Sequence, residues 1–274
     1  MSYPFLLGHG TENDFVLLPD HDGTIHGELS ADRVRALCDR RAGLGADGVL
    51  RVVRRGRRPS LAPVETTAGP APEWFMDYRN ADGGIAEMCG NGIRVFALYL
   101  YDEGLASPDE PLRIATRAGV RTVTREGHLF AADLGVAAIL GETKISVGDR
   151  SWPATHVDLG NPHAVVAVDD LAEAGPLLEE PAHDESLYPD GVNVEFVVRR
   201  GPDHIAMRVH ERGSGETRSC GTGACAAAVA TAPEGPGRWR VDVPGGQLEV
   251  TRDERGRVSL IGPAVIVARG TTSL

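Results

Sequence analysis

Two short segments of the chain match each other: Cys89-Gly90-Asn91-Gly92 and Cys220-Gly221-Thr222-Gly223, about half the chain apart. Each follows a polar, glycine-containing loop and leads into an apolar run that reads as a helix. A thiol just before a helix start, followed by small residues, leaves the first backbone N–H groups of the helix open. One such segment suggests a nucleophile or a redox thiol. Two suggest thiols acting on one substrate from opposite sides, the geometry of a racemase or epimerase. The repeat also limits the fold to two similar α+β lobes, each with a mixed or antiparallel sheet around a central helix. It carries no regular short period, which excludes a solenoid.

At 274 residues the chain suffices for one large domain or two ordinary ones, with a substantial core either way. A net charge of −11 argues against nucleic acid or an anionic membrane as the main partner. No apolar run approaches the roughly 20 residues of a membrane-spanning helix, and Met1 to Asp14 has neither the basic region nor the apolar core of a signal peptide. Cys38, Cys89, Cys220 and Cys225 form no CxxC pairs, so no metal is expected. Free thiols in a cytoplasmic enzyme fit best. Lys144 is the chain's single lysine, within Glu142 to Val147, which alternates like an exposed strand. A pyridoxal-phosphate racemase needs a Schiff-base lysine, and Lys144 is poorly placed to be one. The expectation is an enzyme without a cofactor.

Along the chain, Phe15 to Leu18 reads as a strand. Ser30 reads as the N-cap of a helix carrying Val34, Leu37 and Cys38 on its apolar face, with Gly43 as its stop. Arg54 to Pro72 is basic and proline-rich, an exposed loop or insertion. Trp74 to Arg79 is a strand candidate leading to Asn80-Ala81-Asp82-Gly83, and the Cys89 segment starts a helix from about Gly92 to Tyr101. Strand signals dominate afterwards: 112–114, 120–124, 155–168 broken at Gly160-Asn161-Pro162, then 191–196 and the alternating Ile205, Met207 and Val209. The Cys220 segment opens a second, alanine-rich helix, and Pro244-Gly245-Gly246 marks a hairpin turn.

Inverting a carbon beside a carboxylate means removing a weakly acidic proton from one face and returning one to the other. Two groups flanking the carbon do this if one is basic while the other is protonated. A free thiol ionises near pH ~8.5, and a helix N-terminus favours its anion. The open N–H groups also hold a carboxylate and the charge that develops as the proton leaves.

Asn80 to Arg94 and Glu211 to Ala226, together with Asn13-Asp14-Phe15, Gly45-Ala46-Asp47-Gly48, Gly160-Asn161-Pro162-His163, Asn193-Val194-Glu195-Phe196 and Gly262-Pro263-Ala264-Val265, closely resemble the diaminopimelate epimerase family over nearly the whole chain. The resemblance implies interconversion of LL- and meso-2,6-diaminopimelate without pyridoxal phosphate, and a homodimer. It implies lobes of 1–118, with 264–274 returning to it, and 119–263, and an active site in the cleft between them. By position, Cys89 and Cys220 are the acid/base thiols, and His163 and Glu211 tune them. The N–H groups of Gly90, Asn91, Gly221 and Thr222 hold the reacting carboxylate, and Asn13, Asn80, Asn161, Asn193, Glu211 and Arg212 grip the rest of the substrate. A ligand with a second ammonium and carboxylate suits that polar set. Gly84 replaces a common Ser, and Gly48 replaces a common Gln that contacts substrate. The related proline racemases usually carry His after Cys-Gly, where this chain has Asn91, and a phenazine-type isomerase would lack the paired cysteines.

Overall fold

The computed structural model describes residues 2–57, 69–232 and 235–274. The chain divides into two units, Met1–Ala132 with Pro263–Leu274, and Asp133–Gly262, so the second is spliced into the first. The division falls at 132/133 and not at the expected 118/119. Gly119–Glu126 pairs antiparallel with Leu112–Thr116, and a boundary at 118/119 would cut that hairpin.

The first stretch carries β1 (Tyr3–Gly10), β2 (Asn13–Pro19), α1 (Ala31–Cys38), β3 (Gly48–Arg54), β4 (Trp74–Asn80), α2 (Gly90–Asp102), β5 (Leu112–Thr116), β6 (Gly119–Glu126) and β7 (Leu129–Val136). There follow β8 (Ala138–Val147), β9 (Arg150–Asp158), β10 (Pro162–Ala167), β11 (Asn193–Gly201), β12 (His204–Glu211), β13 (Gly215–Thr217), α3 (Gly221–Thr231), β14 (Gly237–Val243), β15 (Gly246–Arg252), β16 (Arg257–Gly262) and β17 (Val265–Thr272).

The repeat read from two tetrapeptides extends through the whole topology. In the first unit β1/β2 is antiparallel, β2/β3 parallel and β3/β4 antiparallel. Then comes the helix, then parallel β4/β5 and antiparallel β5/β6. In the second, β9/β10 is antiparallel, β10/β11 parallel and β11/β12 antiparallel. The helix follows, then parallel β12/β14 and antiparallel β14/β15. Each thiol thus enters at the same point, after the fourth strand of the series and at the start of the helix.

Both helices are buried on nearly every side, the pattern of a helix enclosed by its sheet. Ile93, Val95, Phe96, Ala97 and Leu100 are completely buried in α2, and Ala224, Cys225, Ala226, Ala227 and Ala228 in α3. α2 packs on β1, β2, β3, β4, β6 and β17, and α3 on β9 to β12 and β14 to β16. The alanines of α3 admit many strands at close range because their side chains are short.

The surface helix α1 begins as its sequence dictates: Ser30 Oγ accepts the Arg33 N–H at 3.3 Å. It stops at Cys38, earlier than the expected Gly43. Asp39 Oδ1 turns the chain by accepting the Arg41 and Ala42 N–H groups at 2.7 and 2.8 Å. Gly43 lies back against the helix end, where a Cβ would sit 2.1 Å from the Ala36 carbonyl oxygen. Of the basic stretch 54–72, residues 58–68 lie outside the described residues. Lys144 is exposed on β8. No helix among the described residues is long and apolar enough to cross a membrane.

Candidate active site: two matched thiol centres

Cys89 and Cys220 are the N-caps of α2 and α3. Both have extended backbone (φ −138°, ψ 124° and φ −115°, ψ 118°), and both sulfurs accept an N–H three residues on, from Gly92 and Gly223, at 3.4 Å. Capping by a side-chain acceptor is a task usually given to Ser, Thr, Asp or Asn. The helices begin at Gly90 and Gly221, so these residues and Asn91 and Thr222 form the first turn, whose N–H groups point out of the helix's N-terminal end.

In the first unit a directed chain of side chains leads to Cys89. The buried Arg94 donates to Asn91 Oδ1 at 2.6 Å, which orients the amide so that Asn91 Nδ2 donates to Asn13 Oδ1 at 3.2 Å. Asn13 Nδ2 donates in turn to Asp47 Oδ2 at 2.8 Å. The same Asn13 Oδ1 accepts from Cys89 Sγ at 3.6 Å. Burial raises the Asp47 carboxyl, against the hydrogen bond from Asn13. Asn80 ends β4, where its N–H and C=O bond Gly84 and Gly83 across the loop that delivers Cys89. Gly48 is required by packing: a Cβ there would meet Arg79 O at 2.6 Å and the Tyr78 ring at 2.7 Å. The Tyr78 ring occupies the direction a Gln side chain would take.

In the second unit His163, with no exposed surface, stands at the start of β10. Its Nδ1 lies 2.7 Å from Glu195 Oε1 on β11, and its Nε2 3.1 Å from Asn161 Oδ1. Asn161 Nδ2 donates to Thr222 Oγ1 at 3.4 Å, and Thr222 Oγ1 lies 3.6 Å from Cys220 Sγ. Glu211, at the end of β12, accepts from the Thr217 hydroxyl. Asn193 is engaged at both ends: Nδ2 donates to Pro162 O at 3.1 Å and Oδ1 accepts the Arg212 N–H at 3.0 Å. It clamps the backbone that carries the exposed Arg212.

The electrostatics depart from the sequence expectation. Burial pushes the Cys220 thiol well above its ordinary value, and the Glu211 and Glu195 carboxylates push it further. The Gly223 N–H and the Thr222 hydroxyl pull the other way without prevailing. The resting group is a thiol, and the helix N-terminus alone does not make it a thiolate. Glu195 was not among the expected site residues. Its signal was a lone carboxylate in the apolar run Val194 to Val198, with every residue of that run buried in β11.

The structure resembles a PhzF-family phenazine biosynthesis protein from Bacillus anthracis (TM-score 0.71, 15% identity, all of both chains). It also resembles a hydroxyproline epimerase from Agrobacterium vitis solved with trans-4-hydroxy-L-proline (TM-score 0.65, 16% identity, 100% of this chain and 93% of the other). These likenesses define the fold. The chain belongs to the diaminopimelate epimerase family: the family model of that description matches residues 5–140 and 155–267. The diaminopimelate epimerase of Streptomyces coelicolor is 54% identical over 97% of this chain and 94% of its own. That of Thermobifida fusca is 48% identical over 98% of both.

Proposed function

We propose that the protein interconverts LL- and meso-2,6-diaminopimelate by passing protons between the α-carbon and two thiols, Cys89 and Cys220. The observation that carries this reading is the matched pair of cysteine N-caps, each at the start of a helix whose first-turn N–H groups point towards its thiol end. The reaction needs one thiol on each face of the carbon, one as thiolate and one as thiol. The N–H groups of Gly90, Asn91, Gly221 and Thr222 hold the α-carboxylate and take up the charge that grows on it. The substrate's α-ammonium offsets the negative field of Glu195 and Glu211, so the bound substrate supplies what Cys220 needs to ionise. Arg212, Glu211, Asn13, Asn80 and Asn161 hold the remaining polar groups, with Asn193 setting the backbone of Arg212. The chemistry calls for no cofactor. Family membership supports a cytoplasmic homodimer in lysine and peptidoglycan precursor synthesis.

The test is α-proton exchange. Reduced protein in D2O is expected to incorporate deuterium into LL-diaminopimelate and yield the meso isomer, while proline run beside it stays unlabelled. Cys89→Ala and Cys220→Ala are each expected to abolish epimerisation. A fully active single variant would remove the two-base mechanism, and no isomerisation by fresh reduced protein would remove the substrate.

A further inference from the structure

We infer that Glu195 is a positioning residue of the Cys220 centre: its carboxylate accepts from Nδ1 of His163 while Asn161 Oδ1 accepts from Nε2, which holds the ring protonated on both nitrogens and fixes the direction of the hydrogen bonds that run through Asn161 and Thr222 to Cys220. The inference rests on the two-thiol reading above and adds a residue to it.

Both ring nitrogens of His163 face oxygens, Glu195 Oε1 at 2.7 Å and Asn161 Oδ1 at 3.1 Å. Asn161 presents its oxygen to the ring because its nitrogen donates to Thr222 Oγ1 at 3.4 Å. An oxygen facing each nitrogen requires a proton on each, so the ring is an imidazolium paired with the Glu195 carboxylate. The Thr222 hydroxyl, already accepting from Asn161, directs its own proton to Cys220 Sγ, 3.6 Å away. The chain therefore ends in a donor aimed at the sulfur, which is the arrangement that receives a thiolate once one forms.

Glu195 cannot move out of this arrangement. It is completely buried, and its Oε1 packs against the first turn of α3, where a Cβ on Gly223 would approach it to 2.6 Å. Its Oε2 has no hydrogen-bond partner among the described residues. A buried carboxylate atom left without a donor is costly, so packing alone does not account for a Glu here. The charged groups that face Cys220 are Glu195 from β11 and Glu211 from β12, while His163 on β10 faces Glu195.

Two substitutions separate charge from shape. Glu195→Gln keeps the volume and loses the charge; Glu195→Asp keeps the charge and shortens the side chain. Protein labelled with 13Cβ-cysteine and 15N-histidine is read by NMR across pH, with Cys220→Ala assigning the sulfur signal. Wild-type His163 is expected to show protons on both Nδ1 and Nε2. In Glu195→Gln the Cys220 ionisation midpoint is expected to fall by about one pH unit or more, because a buried negative charge has gone. In Glu195→Asp it is expected to stay near wild type. Epimerisation is expected to drop at least tenfold in kcat in Glu195→Gln, with KM changed less than threefold, and to be partly restored in Glu195→Asp. A bare Nδ1 or Nε2 in the wild type overturns the inference. So does a Cys220 midpoint that follows shape, normal in Gln and displaced in Asp, or one that does not move at all. The spectra need no turnover, so an active Cys220→Ala enzyme, which would sink the two-thiol reading, is recognised separately.

Discussion

Substituting alanine at Gly223 and at Gly92, the matched third residues of the two helices, should have unequal outcomes. In a helix interior, Gly→Ala stabilises by about 0.8–1.0 kcal/mol, and in a first turn by less. Neither glycine has a positive φ, so backbone strain does not enter. At Gly92 the new methyl would meet Leu50 Cδ2 at 3.2 Å and Cys89 Cβ and Phe15 Cζ at 3.4 Å. These are contacts that a shift of a few tenths of an ångström relieves, so the two effects nearly cancel. At Gly223 the methyl would meet Glu195 Oε1 at 2.6 Å, Cys220 Cβ at 3.2 Å and Cys220 Sγ at 3.3 Å. Glu195 is held by His163 at 2.7 Å and has no solvent to move into. Overpacking of this kind costs about 1–3 kcal/mol and exceeds the propensity gain. Gly223→Ala should therefore lower Tm by several degrees, about 2–4 °C per kcal/mol for a chain of this size, and reduce α-proton exchange at least tenfold by displacing Cys220 or Glu195. Gly92→Ala should keep Tm within about 3 °C of wild type. Differential scanning calorimetry and deuterium incorporation measure both. Equal Tm and equal exchange in the two variants would refute the argument.

Two further predictions concern stability. His26 is buried with both ring nitrogens unpartnered among the described residues, and burial, with Arg33 nearby, lowers its pKa to about 4. The unfolded chain takes up that proton near the ordinary 6.5 and the folded chain only near 4, so the stability contributed is full above 6.5 and is lost as pH falls towards 4. Urea unfolding should show a loss of up to about 3 kcal/mol between pH 7.5 and 4, and His26→Phe should lack that component; an identical acid limb in the variant would contradict it. Asp20, fully buried, accepts from Arg51 and from the Ile25 N–H at 2.9 Å. Asp20→Ala should cost about 3–5 kcal/mol by stranding the buried Arg51, and the double variant with Arg51→Met should recover much of it. An equal cost in the double variant would show that the charge is not the cause.

The two thiols, the helices they cap and the strand leading to Asn80 were legible in the sequence, because capping chemistry and hydrophobic runs are local. The partners of the thiols were less so. Glu195, Arg94 and Arg51 each stand alone in an apolar run, and all three are buried. Such a residue announces a buried charge but not its partner, which comes from elsewhere in the chain: His163 for Glu195 and Asp20 for Arg51. The N-cap position of the cysteines was legible, whereas the state of the Cys220 thiol was not, since desolvation is a sum over the whole fold. The expected boundary at 118/119 falls in the turn joining the paired strands β5 and β6, a pairing that local sequence does not announce.

β17 follows the second unit in the chain and pairs with β1, which precedes it, from Tyr3↔Thr272 to His9↔Val265. At about 5–20 residues per second, translation leaves the outer edge of β1 open for on the order of ten to fifty seconds. The spliced-in unit does not wait for β17, and its helix can be enclosed before β17 is made. Because α2 packs on β17 as well as on β1, the cradle of Cys89 closes only once β17 has joined it. A nascent product lacking β17 would carry a folded second unit and a Cys89 helix still uncovered along one side.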